Sequence, residues 1–268
     1  MKQLIFILIT ASLSFPAVAQ ETKKQTKSRK EQKRERINAL IKQEEEGVIA
    51  YKKHFAFGAK LISDGYGIFF EKGKAKSVKK ATMFQLEISE RKHPKEEKRS
   101  NALSATSPFI YGKLNFFYPI KLGVQQQFLL GNKSNKNGVS VTGNIGGGLC
   151  IGLLRPYEVE VTDNNGNRRY VKYDSPDSLL FINSFNDPTT TGPGIGTGWN
   201  GLKVTPGIYV KPAVRFDYGS YNEMINAVEV GVSAEFYSKK IPQMLYNKQK
   251  QFFFSAYFEI MFGKRKGK

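Results

Sequence analysis

The chain has 268 residues, with 42 Lys and Arg against 23 Asp and Glu, a formal net charge of +19 and a single cysteine, Cys150. One cysteine excludes an internal disulfide framework, so stability has to come from burial and hydrogen bonding. The cation excess points to an anionic partner, whether phospholipid, lipopolysaccharide, cell wall or nucleic acid.

Lys2, the apolar run Leu4 to Leu13 and the small residues Ala17, Val18 and Ala19 follow the order of a secretory signal peptide over residues 1–19. The run falls short of the roughly 20 apolar residues that a spanning helix needs, and no other segment reaches that length. Removing residues 1–19 takes away Lys2 alone and leaves 41 basic against 23 acidic residues, or +18. Export makes nucleic acid an unsuitable partner. An exported chain without disulfides or spanning helices is either a soluble β domain or a transmembrane barrel.

Residues 20–50 form a basic arm in which Lys23, Lys24, Lys27, Arg29, Lys30, Lys33, Arg34 and Arg36 precede Glu44, Glu45 and Glu46. Lys30 to Glu46 reads as a polar helix or disordered arm on the periplasmic side, solvated or docked on anionic lipid, peptidoglycan or a periplasmic protein.

From residue 51 to 268 the pattern alternates with period two, the spacing that puts successive side chains on opposite faces of a strand. Phe55, Phe57, Ala59 and Leu61 oppose Ala56, Gly58 and Lys60, and Ser63, Asp64 and Gly65 supply a tight turn. Tyr66, Ile68 and Phe70 oppose Gly67 and Glu71, and Phe84, Leu86 and Ile88 oppose Gln85, Glu87 and Ser89. A polar connection from Arg91 to Asn115 takes in Phe109 to Leu114, which is assigned to the loop because a separate strand there would make the strand count odd. Phe116, Tyr118, Ile120, Leu122 and Val124 then face away from Lys121, Gly123, Gln125 and Gln127. The next strand sets Val141, Ile145, Leu149 and Ile151 against Thr142, Asn144, Gly146, Gly148 and Cys150. The longest connection, Arg155 to Lys203, is expected to begin with a hairpin around Asp163 to Gly166 and to continue irregularly. Three further strands are read at Val204 to Asp217, Val228 to Phe236 and Phe252 to Phe262.

The predicted fold is an all-β, eight-stranded, antiparallel, up-and-down transmembrane β-barrel. Connections one, three, five and seven are then on the outer side and the shorter ones with the termini on the periplasmic side, a parity typical of outer-membrane barrels. An eight-stranded interior is just wide enough for side chains, so the faces rich in large apolar residues are placed outside. On the last strand the lipid-facing set is Phe252, Phe254, Phe258, Ile260 and Phe262. The opposite faces put Lys60, Lys121, Lys211 and Arg215 against Glu71, Glu87, Asp217, Glu229, Glu235 and Glu259, a lumenal ion-pair network that fills the barrel in place of an open, porin-like channel.

The motifs Ser63-Asp64-Gly65-Tyr66-Gly67, Lys92-His93-Pro94-Lys95-Glu96, Gly152-Leu153-Leu154-Arg155-Pro156-Tyr157 and Phe258-Glu259-Ile260-Met261-Phe262-Gly263-Lys264-Arg265 resemble a family of small outer-membrane β-barrel proteins of the Bacteroidetes type. The resemblance covers most of the chain beyond the signal peptide and implies a barrel in the cell outer membrane, in contact with lipopolysaccharide and built by the barrel-assembly machinery, without catalytic residues. The tail after Phe262 departs from the strict terminal Phe read by that machinery.

The chain has two histidines, His54 and His93. His93 with Ser89 and Glu90 is the one nucleophile–base grouping available to a lipid A or phospholipid modifying enzyme. Asp163, Asp174, Asp177 and Asp187 lack calcium-loop spacing, and Gly146, Gly147 and Gly148 read as packing glycines without a phosphate-loop helix. No cofactor or metal is expected. The leading expectation is a non-enzymatic structural or interaction component of the envelope. The alternatives are the lipid-modifying enzyme and a soluble lipocalin-like carrier.

Overall fold

The computed structural model describes residues 28–45, 51–77, 79–100, 108–132, 138–162, 166–174, 176–187, 190–194, 196–219 and 224–267. The signal peptide expected at residues 1–19 lies outside the described residues. In the arm, α1 (Arg29–Glu45) begins with a reciprocal cap. The Glu31 N–H donates to Ser28 Oγ at 3.4 Å and the Ser28 N–H donates to the Glu31 carboxylate at 3.2 Å.

Among the described residues twelve strands follow in chain order. Eight of them build the barrel: β1 (Tyr51–Ile62), β2 (Gly65–Ala75), β3 (Lys80–Arg91), β6 (Asn115–Gly131), β7 (Ser140–Pro156), β10 (Lys203–Asp217), β11 (Met224–Ile241) and β12 (Lys250–Gly267). Each pairs antiparallel with its neighbours in the chain, and β12 returns to β1 to close the cylinder. At that seam Phe57 lies opposite Phe262 and Lys60 opposite Glu259. Closure leaves no unpaired barrel edge. The strands run from 11 to 18 residues, enough to cross a bilayer core, which takes about 9–11 tilted residues.

β1, β3, β7 and β11 all run from the end that carries the barrel's termini toward the opposite mouth, termed here the far mouth. The terminal end has the short connections at 76–79, 132–139 and 218–223. The far mouth carries the β1–β2 turn and the connections at 92–114, 157–202 and 242–249. Phe109–Ile110 (β5) pairs with Lys98–Arg99 (β4) inside the 92–114 connection and outside the barrel. Val159–Thr162 (β8) pairs with Arg168–Val171 (β9), which is the expected hairpin. The second half of that connection, expected to be irregular, contains α2 (Ser178–Ser184) and a 3-10 turn (Trp199–Gly201). α2 forms because Phe181 has an apolar pocket to enter, a tertiary contact that period-two reading does not register.

Sidedness follows the pleat. On β12 the five apolar residues expected to meet lipid are 39–64% exposed, whereas Phe253, Ser255, Tyr257 and Glu259 between them are buried. The interior also contains apolar residues: Phe69, Met261, Ile225, Ala56 and Ala227 pack together toward the terminal end. Near the middle, glycine is required: a Cβ on Gly148 would lie 2.3 Å from the Leu122 carbonyl oxygen, and one on Gly123 would lie 2.3 Å from the Tyr209 hydroxyl. The missing side chain at Gly123 makes room for the Tyr209 hydroxyl, and the one at Gly148 for the close approach of the Leu122–Gly123 backbone.

Candidate functional site

The barrel interior holds one chain of alternating charges. It starts at His54, whose Nε2 lies 2.8 Å from Glu71. Glu71 pairs with Arg215 at 2.7 Å, and the same guanidinium reaches Glu229 at 2.7 Å. Glu229 faces Lys211 at 3.8 Å, Lys211 faces Glu259 at 3.5 Å, and Glu259 meets Lys60 at 3.0 Å. Lys60 and Lys121 share Glu87, each at 2.8 Å. Lys121 and Arg91 share Glu235, each at 2.6 Å, and Arg91 ends the chain on Asp64 in the β1–β2 turn at 3.1 Å. Five cations, six carboxylates and one imidazole are thus joined from the terminal end to the far mouth.

Neutral donors satisfy part of what the ions leave over, while Glu259 Oε2 and Arg91 Nε have no hydrogen-bond partner among the described residues. The Tyr257 hydroxyl donates to Glu229 at 3.0 Å, Asn144 Nδ2 donates to Glu229 at 2.7 Å, and the Tyr237 hydroxyl donates to Glu235 at 2.8 Å. Every charged residue in the chain between His54 and Glu235 is at most 4% exposed. Charges removed from water this completely persist only when each has an opposite partner and further hydrogen bonds.

The structure places all ten sequence-predicted lumenal charges inside the barrel. Nine belong to this chain, and the tenth, Asp217, pairs separately with Arg265 at the terminal end. His54, Arg91, Arg265 and Asp64 were not anticipated. Extending each alternation would have found the first three. His54 shares the face of Ala56, Gly58 and Lys60, Arg91 follows Glu87 and Ser89, and Arg265 follows Glu259, Met261 and Gly263. Arg91 and Arg265 supply cations that the sequence-based set, with four cations and six carboxylates, lacked.

Above the ions, Phe117, Tyr237 and Phe253 form an aromatic plug with ring centroids 5.3–5.8 Å apart. Above that plug the far-mouth connections pack into a cap. Its core is Phe109, Ile110, Tyr157, Val159, Val161, Val171, Phe181, Phe185 and Met244, drawn from three connections. The Ile110 N–H donates to the Tyr157 hydroxyl at 2.7 Å, and burial pushes that hydroxyl's pKa up to about 12. The Leu114 N–H donates to the Gln243 carbonyl at 2.8 Å and the Leu245 N–H to the Gly112 carbonyl at 2.7 Å, a turn in which Gly112 takes φ 69°. The Lys113 ammonium pairs with Glu96 inside the cap, and burial holds that lysine below the usual ammonium range.

A cleft of about 210 Å³ opens beside the cap, lined by Asn115, Tyr173, Asp174, Gln249, Lys172 and Lys203 together with Leu114, Pro156, Gly201 and Pro242. Two amides, a phenol, a carboxylate and two ammoniums converge on a volume below the roughly 300 Å³ at which drug-sized pockets begin.

The enzyme grouping weighed from sequence is not brought together. Ser89 Oγ is directed into the lumen toward the Pro119 carbonyl, Glu90 accepts from the Tyr66 hydroxyl on the outer surface, and His93 Nδ1 accepts from the Lys95 N–H. Ser89 and Glu90 face opposite sides of β3 because they are adjacent in a strand. Among the described residues no group of His, Cys, Asp and Glu is disposed to hold a metal ion.

No family model matches the chain, and comparison with curated proteins finds no match. Among solved structures the chain is similar to Neisserial surface protein A, at 10% identity over 80% of this chain and 96% of that one, with a TM-score of 0.35. It is similar to the N-terminal β-barrel domain of Pseudomonas aeruginosa OprF at 6% identity, covering 80% and 98% of the two chains, with a TM-score of 0.34. It is also similar to Ail, the attachment invasion locus protein of Yersinia pestis, at 9% identity, 80% and 98% coverage and a TM-score of 0.35. All three are small outer-membrane β-barrels. The assignment of this chain as a closed eight-stranded antiparallel barrel rests on its own hydrogen-bonded ladder.

Proposed function

We propose that this protein is an integral outer-membrane barrel that works without catalysis, with a lumen filled by ion pairs and a loop cap that is its contact surface in the cell envelope. The observation that carries the reading is the inversion of polarity across the barrel wall. Large apolar side chains on all eight strands face outward, with Phe57 at 49%, Phe84 at 62%, Leu149 at 67% and Phe254 at 64% exposure, while the interior is ionic. A water-soluble carrier needs the opposite arrangement. Tyr66, Tyr118 and Trp199 at the far mouth and Phe55, Phe128 and Tyr218 at the terminal end form the aromatic girdles expected where a barrel wall meets the two membrane surfaces.

In this reading the termini face the periplasm, as expected for a member of the Bacteroidetes-type family that the sequence motifs resemble. The cap meets lipopolysaccharide or external partners, and the barrel-assembly machinery inserts the chain. The cleft beside the cap favours one refinement, that the contact surface takes small polar ligands.

Fractionation of cells tests the proposal. Retention in the membrane through alkaline carbonate and release only by detergent, with faster gel migration before heating than after, is the expected result. Release by salt or carbonate alone overturns it. Planar bilayers test the filled lumen separately, and stable single-channel currents of porin size would refute it.

A further inference from the structure

The terminal end of the barrel carries a patch that neither the filled lumen nor the cap explains. Lys53 on β1, Lys72 and Lys74 on β2, Lys80 on β3, and Lys264 and Lys266 on β12 are all exposed. By strand parity they point outward, on the same faces as Phe55, Phe70, Phe84 and Phe262. The register makes them neighbours: Lys53 lies directly opposite Lys74 on one side and Lys266 on the other, and Phe55 lies opposite both Lys72 and Lys264. None of the six has a salt-bridge partner among the described residues, and the nearby Asp217 is held in the interior by Arg265.

Like charges directly opposite one another across a strand pair are destabilising, so this arrangement is unfavourable unless an anion comes between them. Among the described residues the patch is also one-sided. The outward positions at the described terminal ends of β6, β7, β10 and β11 are Leu130, Val141, Tyr218, Met224 and Asn226, with no cation among them.

We propose that the outward faces of β12, β1, β2 and β3 at the terminal end form a binding site for the phosphate headgroups of anionic phospholipid. The inference rests on the integral-barrel reading above. Depth selects this partner over a soluble one. On β1, β2 and β12 the lysines begin one outward step, about 7 Å, beyond the last lipid-facing aromatic, and on β3 Lys80 lies two steps beyond Phe84, which is headgroup level. Lysine stems lie along apolar surface and deliver their ammoniums to that level. Clusters of four to eight cations flanking a membrane segment are the usual signature of anionic lipid recognition.

The test uses the full-length protein, exported and extracted as it exists, and reconstituted into phosphatidylcholine or mixed phosphatidylcholine–phosphatidylglycerol nanodiscs. The phosphatidylglycerol retained after exchange is counted by native mass spectrometry. The wild type is expected to prefer phosphatidylglycerol over phosphatidylcholine by about tenfold or more, with the preference falling as salt rises. A Lys53→Gln/Lys72→Gln/Lys74→Gln/Lys266→Gln variant is expected to lose it, and Lys239→Gln/Lys240→Gln near the far mouth to keep it. Equal retention of the two lipids by the wild type, or an undiminished preference in the quadruple variant, overturns the inference. Heat-modifiable migration is recorded on every sample. A compact barrel without lipid preference sinks this inference alone, whereas failure of the wild type to insert sinks the integral-barrel reading with it.

Discussion

Replacing Glu87 by Gln cuts the lumenal charge chain at its centre while nearly preserving side-chain volume. Glu87 bonds Lys60 and Lys121, each at 2.8 Å and with neither ammonium exposed. Two charge-assisted hydrogen bonds contribute roughly 1.5–3 kcal/mol each. Removing one partner of a buried pair costs about 3–5 kcal/mol because a charge is left uncompensated. Here both lysines keep a second carboxylate, Lys60 at Glu259 and Lys121 at Glu235. The expected loss is therefore near the lower bound, about 3 kcal/mol. Urea unfolding of the detergent-refolded protein, followed as the fraction of compact band on an unheated gel, measures it. In a double-mutant cycle with Lys121→Met, the loss in the double variant should fall short of the sum of the two single losses by about 1 kcal/mol or more, since the two side chains bond each other directly. Asp177→Asn, which breaks the exposed pair with Arg169, serves as the control and should leave the unfolding midpoint unchanged. A loss below about 1 kcal/mol for Glu87→Gln, or strict additivity in the double variant, would refute the view that these ions act as one connected network.

Phe181→Ala empties the centre of the cap, where the Phe181 ring is fully buried against Phe185 at a centroid distance of 5.0 Å, and should destabilise the cap by about 3–5 kcal/mol. Limited proteolysis should then cut the 157–202 connection while the compact band survives; loss of that band would show that cap and barrel fold as a single unit. His93 tests the electrostatics of the cap. Partial burial, followed by Lys250, Lys95 and Lys113, lowers its pKa against the opposing pull of Glu96. The folded loop therefore prefers the neutral ring, whose Nδ1 accepts the Lys95 N–H at 3.2 Å. This contribution to loop stability is complete above about pH 6.5 and is lost as pH falls below that value toward the folded pKa. An NMR titration of the ring should have its midpoint below 6.5, and a midpoint at or above that value would contradict the assignment.

The sequence by itself determined the period, and with it the two faces of each strand. The alternation of Phe252 to Phe262 needs no neighbour to be read, because the pleat assigns each side chain its face locally. The same local rule placed ten charges in the lumen, and parity kept Phe109–Ile110 out of the barrel. It fell short at strand ends, where Arg91 and Arg265 lie beyond the bounds read and His54, at the opening of β1, was left out of the lumenal set, although all three continue faces already identified. Tertiary structure alone decided which charge meets which. Arg91 and Glu235 stand 144 residues apart and touch only because closure and register bring β3 and β11 to the same level of the lumen. The cap was also hidden, since its core joins residues from three connections that share no periodicity and become neighbours only after the barrel sets their ends. The lysine patch is of the same kind: its residues look like scattered surface charges along the chain, and register alone aligns Lys74, Lys53 and Lys266 in one row.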